Sequence, residues 1–344
     1  MFGLQTIRTE DAVGHVLCHD LTQIIPGEYK DARFRKGHIV TEADIPVLLS
    51  MGKETLFVWE KAEGMLHENE AAERLADLCG TEHMRRSAVK EGKIELRAEM
   101  DGLLKVDTAR LKAVNASGEV MIASRHGNTP VRAGDQLLGT RVIPLVIAEE
   151  TLARAEQAAG SAPLFRLLPF TLRRAAIVVT GNEVEKGLIE DRFSPVVQGK
   201  LAEYGIETMA IEQVGDDPAR ACAAIQAFIT QGAELVVCTG GMSVDPDDKT
   251  PLAIRNTGAE IVSYGAPVLP GAMFLLAYYG ENRVPVCGLP GCVMYARRTI
   301  FDLVLPRLAA RDPVTAEELA AMGEGGLCLN CPACTWPNCG FGKS

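Results

Sequence analysis

The sequence predicts an α/β protein with a mostly parallel sheet and helices on both faces, preceded by an α+β, partly β-rich N-terminal region. Between residue 175 and about residue 310, apolar strands alternate with helical segments, as in open α/β sheets. Residues 1–160 instead contain short β-rich runs separated by Gly, Asn and Pro turns. We therefore expect domains at residues 1–160 and 173–311, followed by a tail at residues 324–344.

The predicted elements follow from the apolar runs and their flanking signals. In the first region we expect strands at 10–21, 30–40 and 56–60 and within 93–147, and helices at 44–51, 69–79 and 151–160. In the second region we expect strands at 175–180, 206–214, 234–239, 260–264 and 284–288. The helices expected there are 194–204, with Ser194 as N-cap, and 218–231, 249–257 and 292–309.

The composition excludes several classes of protein. The 344 residues carry a formal net charge of −10, which argues against a nucleic-acid coat or a protein that binds anionic membranes. Aromatic residues make up only 5%, too few for base-stacking platforms. The start of the chain has acidic residues within its first dozen positions and no long apolar core, unlike a signal peptide, and the apolar stretches are too short to cross a bilayer. We expect a cytoplasmic protein that binds neither nucleic acid nor membranes.

Four loops that follow predicted strands are rich in glycine, and three of them contain acidic residues. They are TGNEV (180–184), GDDP (215–218), TGGMSVDPDD (239–248) and GLPG (288–291). Loops at the carboxyl ends of strands form the binding crevice of an open α/β sheet. One Gly-Gly pair alone is more often a simple turn, but four such loops favour a shared ligand site.

The loop at 239–248 is the most informative. Gly240 and Gly241 allow the backbone to approach a ligand closely, while Thr239 and Ser243 add hydroxyl groups. Together with the N–H groups of a following helix, this is the chemistry of a phosphate cradle. The same loop has three acids whose oxygens suit Mg²⁺: Asp245, Asp247 and Asp248.

In order and spacing, these loops resemble those of the molybdopterin-binding (Mog-like) domain of molybdopterin adenylyltransferases and molybdotransferases. The resemblance covers roughly residues 173–310 and implies a Mog-like α/β fold that binds molybdopterin, or adenylyl-molybdopterin, with Mg²⁺. It implies catalytic acids at Glu183, Asp216 and Asp248, with Asp217 and Asp247 as further candidate metal ligands. The implied ligand-binding residues are Thr180, Gly181, Thr239, Gly240, Gly241, Ser243, Pro290 and Gly291.

The sequence departs from the molybdotransferase pattern at two places. That subfamily has a lysine-bearing KPGKP-like loop, whereas VLPGAM stands at 268–273, and its Asn-Pro after the GLPG loop is Cys292-Val293 here. Lysines would attract an anionic oxometalate, so these departures bear on molybdate insertion more than on pterin binding. Near the N-terminus, DAVGHVLCHDLTQIIPG (11–27) and FRKGHIV (34–40) resemble a less characterised group of molybdopterin-binding proteins.

Four of the ten cysteines are crowded in the tail, as Cys328, Cys331, Cys334 and Cys339. Thiolates in the pattern C-x2-C-x2-C-x4-C can surround an iron–sulfur cluster or Zn²⁺. The first three match the close run of iron–sulfur proteins, whereas zinc sites usually separate their pairs more widely. A small zinc knuckle and a disordered tail with free thiols remain alternatives. The six other cysteines are scattered, and several lie in apolar settings typical of core residues.

The resemblance implies a protein of molybdenum cofactor biosynthesis. The leading hypothesis is a molybdotransferase-like enzyme that uses Mg²⁺ to hydrolyse the adenylylated pterin and to insert molybdate. The alternatives are adenylyl transfer from ATP to molybdopterin, and a non-catalytic carrier or sensor of the cofactor. The expected partners are the pterin, molybdate, further copies of the chain and a recipient molybdoenzyme.

Overall fold

The described part of the chain is built from short strands and helices. The computed structural model describes residues 4–25, 29–59, 64–80, 82–243, 245 and 248–343. The strands are β1 (Leu4–Arg8), β2 (Leu21–Ile25), β3 (Tyr29–Phe34), β4 (Thr55–Trp59), β5 (Met65–His67), β6 (Met84–Arg86), β7 (Lys93–Ala98), β8 (Gly102–Val106), β9 (Val120–Ser124), β10 (Thr129–Val131), β11 (Gln136–Val142), β12 (Val146–Ala148), β13 (Phe165–Pro169), β14 (Arg174–Thr180), β15 (Glu207–Val214), β16 (Leu235–Thr239), β17 (Glu260–Tyr264), β18 (Leu275–Tyr279) and β19 (Val284–Leu289). The α-helices are α1 (Asp44–Ser50), α2 (Glu68–Asp77), α3 (Thr108–Asn115), α4 (Glu149–Ala159), α5 (Asn182–Glu185), α6 (Phe193–Ala202), α7 (Pro218–Thr230), α8 (Thr250–Asn256), α9 (Ile300–Ala309) and α10 (Ala316–Ala321), and 3-10 helices lie at Thr9–Asp11 and Gly291–Met294.

The first of two compact units comprises residues 1–99, 106–127 and 133–166. Its largest sheet is antiparallel, in the order β6-β7-β11-β9. Along β7, the buried residues Ile94, Leu96 and Ala98 alternate with more exposed ones, as a sheet with one covered face requires. The expectation of a strand-rich N-terminal region is confirmed.

Two predicted strands of this unit are wrong in their bounds. The segment 10–21 is a 3-10 helix followed by irregular chain, and the predicted strand 30–40 is reduced to β3. Ala12, Leu17 and Val40 are nevertheless buried in one cluster with Leu48. Their apolar character therefore indicated burial and not a strand. The prediction of a strand at 56–60 is confirmed by β4, although Glu60 lies outside the described residues.

The second unit comprises residues 100–105, 128–132 and 167–344 and contains a six-stranded sheet. The strand order is β15-β14-β16-β19-β18-β17. The first four strands are parallel to one another, and β18 runs antiparallel to both of its neighbours, β19 and β17. A mostly parallel sheet is thus confirmed, and β18 is a strand that the sequence analysis missed.

Helices cover both faces of this sheet, as predicted. Successive residues of β14 point to opposite faces, and both faces are buried. Ile177 belongs to the same buried cluster as Val197 of α6. Val178 belongs to another cluster, with Ile225 of α7 and Ile254 of α8. Burial on both faces explains why the strand is continuously apolar.

Two helix starts differ from the predictions. Helix α6 begins at Phe193, and the N–H groups of Phe193 and Ser194 donate to Asp191 Oδ1 at 2.9 and 3.0 Å, so Asp191 and not Ser194 caps it. The predicted helix 292–309 is a 3-10 turn followed by α9. Helix α9 starts late because Thr299 and Asp302 form a capping box there. Within the described part of the chain, no helix is long and apolar enough to cross a membrane.

Candidate functional site

The parallel strands bring the described parts of the four predicted loops to one edge of the sheet, which we call the ligand-loop edge (residues 180–184, 215–218, 239–243, 245, 248–250 and 288–291). In the sheet, Thr180 pairs with Val214, Val179 with Thr239, and Thr239 with Leu289. These strands end side by side at one edge of the sheet. Each loop therefore begins next to the loop that follows the neighbouring strand. Segments separated by up to a hundred residues or so thereby become neighbours.

Two buried threonines hold the first and third loops together. Thr250 Oγ1 donates to the carbonyl oxygen of Gly240 at 2.9 Å and lies 2.8 Å from Thr180 Oγ1. Thr180 and Thr250 are both almost completely buried. Buried hydroxyls of this kind are costly to leave unpaired, so the hydrogen bonds fix the Gly240 turn against the end of β14.

Gly240 is the position in this turn that most clearly requires a glycine. Its φ is +83°, and a Cβ at this position would lie 2.2 Å from the carbonyl oxygen of Thr180. Gly241 also has a positive φ, of +51°. Side chains are excluded from this turn by both the backbone conformation and the space, which leaves its peptide groups as the groups that can face a ligand.

Asp216 joins the second loop to the first through backbone groups. Its Oδ2 accepts from the N–H of Asn182 at 3.1 Å, and Asn182 Oδ1 accepts from the N–H of Asp216 at 3.2 Å. Asp217, a candidate metal ligand, instead caps α7, with its Oδ1 accepting from the N–H of Ala219 at 2.8 Å. The neighbouring acids therefore make different local contacts.

Asp248 organises the third loop. Its Oδ2 accepts from the N–H of Ser243 at 2.8 Å, which closes the loop on itself. Burial, with a smaller contribution from the negative charge of Asp248, raises the pKa of Tyr264. Asp245 is exposed, and Asp247 lies outside the described residues.

Glu183, Pro290 and Gly291 complete the predicted set. Glu183 is an exposed residue of α5, one residue beyond Asn182 and three beyond Thr180. Pro290 and Gly291 follow β19 directly and begin the 3-10 helix Gly291–Met294. They belong to the ligand-loop edge by strand order, but no described hydrogen bond joins them to the Gly240 turn.

The sequence analysis missed two residues of this edge. Thr250 bridges the loops, and Lys249 beside it lines a small depression of about 10 Å³ together with Thr180, Asp216 and Asp217. The sequence signal that could have identified them is the cation of Lys249 and the hydroxyl of Thr250 directly after the acidic run at 245–248. A lysine here places a positive charge next to the candidate phosphate cradle.

Metal ligation was predicted at the acids and at the tail cysteines. Among the described residues, no group of three or more His, Cys, Asp or Glu side chains converges closely enough to hold a metal ion. The Mg²⁺ and the tail metal therefore stay predictions.

The four tail cysteines line a single cavity of about 490 Å³, which we call the tail cavity. Cys328 and Cys339 are half-buried, and Cys331 and Cys334 are exposed. Of the other six cysteines, four are buried, as expected for core residues: Cys18, Cys79, Cys238 and Cys287. Burial raises the pKa of the Cys238 thiol to about 12, which keeps it protonated at neutral pH.

Comparison with known sequences bears on the same part of the chain. Residues 176–310 match the profile of a family described as "Probable molybdopterin binding domain". Residues 176–310 are thus similar to molybdopterin-binding domains. Residues 6–60 match a family described only as a domain of unknown function.

Several curated proteins are similar in sequence to part of the chain. A molybdopterin molybdenumtransferase of Synechococcus elongatus is 29% identical over 196 residues, covering 54% of this chain and 46% of the relative. A molybdenum cofactor biosynthesis bifunctional protein of the same organism is 38% identical over 85 residues, covering 25% of this chain and 27% of the relative. A CinA-like protein of Mycobacterium tuberculosis is 39% identical over 90 residues, covering 26% of this chain and 21% of the relative. The chain therefore spans less than half the length of each of these relatives.

Solved structures with similar folds carry related names. A molybdopterin biosynthesis enzyme, MoaB of Thermus thermophilus, is 22% identical with a TM-score of 0.34, covering 41% of this chain and 99% of that chain. A tungsten cofactor synthesizing protein, MoaB of Pyrococcus furiosus, is 21% identical with a TM-score of 0.31, covering 41% of this chain and 89% of that chain.

Proposed function

We propose that this protein acts in molybdenum cofactor biosynthesis and binds molybdopterin, or its adenylylated form, at the ligand-loop edge. The family of residues 176–310 and the names of its relatives support the class of ligand. The observation that carries the proposal is the Gly240 turn, which is fixed by Thr180 and Thr250 and keeps its backbone free of side chains.

The ligand's phosphate would lie on this turn. Backbone N–H groups near Gly241 and the ammonium of Lys249 are the local partners for its negative charge. Thr180 and Thr250 do not need to touch the ligand, because their hydroxyls act on the shape of the turn. A cradle fixed in this way binds an anion without ordering a mobile loop, which preserves affinity.

The enzymatic form of the proposal is molybdotransferase-like. Mg²⁺, when bound, would neutralise the phosphoanhydride of an adenylylated pterin and assist its hydrolysis. Asp216 and Asp248 are the protein's candidate carboxylates for this step, with Glu183 nearby on α5. The backbone bonds of Asp216 to Asn182 and of Asp248 to Ser243 orient both side chains.

The test is incubation of the full chain with adenylyl-molybdopterin, Mg²⁺ and molybdate, followed by measurement of bound pterin and released AMP. We expect Asp248→Asn to abolish AMP release while the fold remains intact by circular dichroism. Glu281→Gln is the matched control, because Glu281 is exposed in the turn before β19, at the end of that strand opposite to the loop at 288–291. Unchanged AMP release in Asp248→Asn would reject the role of Asp248, and absence of any pterin binding would reject the whole proposal.

One observation favours the second candidate, a non-catalytic carrier or sensor. At 268–273, where the molybdotransferase pattern carries lysines, Val268 is buried and the backbone of Leu269 pairs with the tail. The N–H of Leu269 donates to Gly326 O, and its carbonyl oxygen accepts from the N–H of Cys328, both at 2.8 Å. A stretch held in this way lacks both the charge and the open backbone for an oxometalate. Tight pterin binding without AMP release in the same assay would select this candidate.

A further inference from the structure

The tail cavity lies outside the ligand-loop edge and is not used by the proposed function. It is lined by all four tail cysteines, and its other walls include Tyr295, Arg297, Arg298 and Trp336. The cysteines come from one short stretch of chain, so the cavity brings together residues whose spacing already indicated a metal centre.

The tail is anchored at both ends of the cysteine run. At one end, Leu327 bridges to Leu269 and the N–H of Cys328 donates to Leu269 O. At the other end, Phe341 is 5% exposed in the main core of the unit, and the N–H of Gly342 donates to Gly325 O at 2.9 Å. These contacts position Cys328 and Cys339 through protein packing alone. Cys331 and Cys334 lie on the exposed loop between the anchors.

The arrangement of the cysteines distinguishes between the candidate metal centres. With Zn–S bonds of about 2.3 Å, a tetrahedral zinc ion draws its four sulfurs to within about 4 Å of one another. Here the four cysteines are spread among the other residues that line a cavity of about 490 Å³, and among the described residues no three of them converge on the position of a single metal ion. A cuboidal iron–sulfur cluster, which places a whole group of atoms between its thiolates, fits such an arrangement, and the close C-x2-C-x2-C run is the spacing of cluster-binding proteins.

The charges around the cavity fit an anionic group. A cluster of four irons and four sulfides with four thiolates carries a net charge of about −2 in its oxidised form. Arg297 Nη1 donates to Pro332 O at 2.7 Å and so ties the cavity wall to the loop between the cysteines. Arg298 stacks on Trp336, with its Cζ 4.5 Å from the ring centroid. Because Arg298 is paired with Glu203 and Asp302, the guanidinium of Arg297 is left to border the position of the negative charge.

We propose that the tail cavity binds a [4Fe–4S] cluster through Cys328, Cys331, Cys334 and Cys339. Two ligands are fixed by the anchors, and the other two lie on the exposed loop between them. The proposal is independent of pterin binding, because none of these residues belongs to the ligand-loop edge.

The test is iron, zinc and acid-labile sulfide analysis of the full chain purified without oxygen and incubated with equal amounts of ferrous and ferric iron and with sulfide, since the oxidised cluster contains both oxidation states of iron. We expect about four irons and four sulfides per chain and, after chemical reduction, the electron paramagnetic resonance signal of a reduced cluster. The bound cluster should also quench the fluorescence of Trp336, and this quenching should be absent from the variant Trp336→Phe. The double variant Cys331→Ala/Cys334→Ala should lose the iron, whereas Cys222→Ala, which changes a half-buried thiol of α7, should retain it.

Folding of the double variant is checked by urea denaturation, which should match the metal-free wild type because both altered residues are exposed. One zinc per chain without sulfide would overturn the proposal in favour of a zinc knuckle. Iron retained by the double variant, or no iron and sulfide bound by the wild type, would overturn it as well.

Discussion

At the ligand-loop edge, the groups that contact one another come from distant segments of the chain, whereas the groups that line the tail cavity come largely from residues 325–341. The edge is held by buried hydroxyls and by backbone atoms such as Gly240 O. The tail is held at its two ends, and its middle is exposed. The difference shows that the residues of a site can be positioned in two ways. The register of a sheet can bring distant segments together, or a short segment can be anchored at both ends on the hydrophobic core.

The largest expected effect tests the core beneath the tail. Asp302 accepts from Lys200 Nζ at 2.7 Å and from Arg298 Nη1 at 2.9 Å, and Lys200 and Asp302 are both buried. We expect Asp302→Ala to lower the free energy of unfolding by about 3–5 kcal/mol, because it leaves the Lys200 ammonium buried without its partner. Urea denaturation measures this. Glu260→Gln, in an exposed pair with Arg283, is the control and should cost at most about 1 kcal/mol. If Asp302→Ala lowered the free energy of unfolding by less than about 1 kcal/mol, the core beneath the tail would be held less firmly than the ligand-loop edge.

The next effect tests the Gly240 turn. Gly240→Ala and Gly258→Ala both place a side chain at a φ near +83°, but only the Cβ at 240 meets another atom, Thr180 O. The left-handed backbone should cost about 1–2 kcal/mol in each variant. The additional clash should make Gly240→Ala clearly the less stable in thermal unfolding, and it should weaken pterin binding. Equal stabilities of the two variants would contradict the close approach at this turn.

A smaller effect compares two buried hydroxyls. Thr180 Oγ1 lies 2.8 Å from Thr250 Oγ1, whereas Thr239 Oγ1 is buried with no hydrogen-bond partner among the described residues. We expect Thr180→Val to cost about 1 kcal/mol or more, since it leaves a buried hydroxyl without its neighbour. Thr239→Val, of nearly the same shape, should be neutral or stabilising, because it removes an unpaired polar atom. Chemical denaturation of both variants decides this, and the reverse order would contradict the assigned bonds.

The smallest effect is expected in the middle of the tail. Cys331 is exposed, so Cys331→Ser should change the free energy of unfolding of the metal-free protein by less than about 0.5 kcal/mol. Phe341→Ala is the contrasting variant, since it empties a buried position at the anchor and should cost about 3–5 kcal/mol. If Cys331→Ser destabilised the metal-free protein as strongly as Phe341→Ala, the tail would not be organised by its ends.

Much of the second unit could be predicted from the sequence because its strands are buried on both faces and therefore read as continuous apolar runs. The positions of β14, β16 and α7 were found within one or two residues for this reason. Other elements could not be found from local patterns. The segment at 10–21 is apolar because Ala12 and Leu17 are buried, although neither lies in a strand. Helix α9 starts later than predicted because the capping box at Thr299 begins the helix there. The local sequence before Thr299 favours a helix equally, so the sequence pattern did not show this start.

The candidate site divides in the same way. The glycine and acidic loops after successive strands identified the ligand-loop edge, since parallel strands end on the same side. Thr250 and Lys249 escaped notice because nothing in the sequence shows that they meet Thr180, seventy residues away.

By itself, the sequence determined the class of fold, the Mog-like domain and the cysteine run of the tail, because each is written in local spacing. Only the tertiary structure decided that Thr250 fixes the Gly240 turn, that Asp217 caps α7, and that all four tail cysteines line one cavity. These are consequences of strand register and of where the chain ends are anchored. Both depend on contacts between residues far apart in the sequence, which no local pattern records.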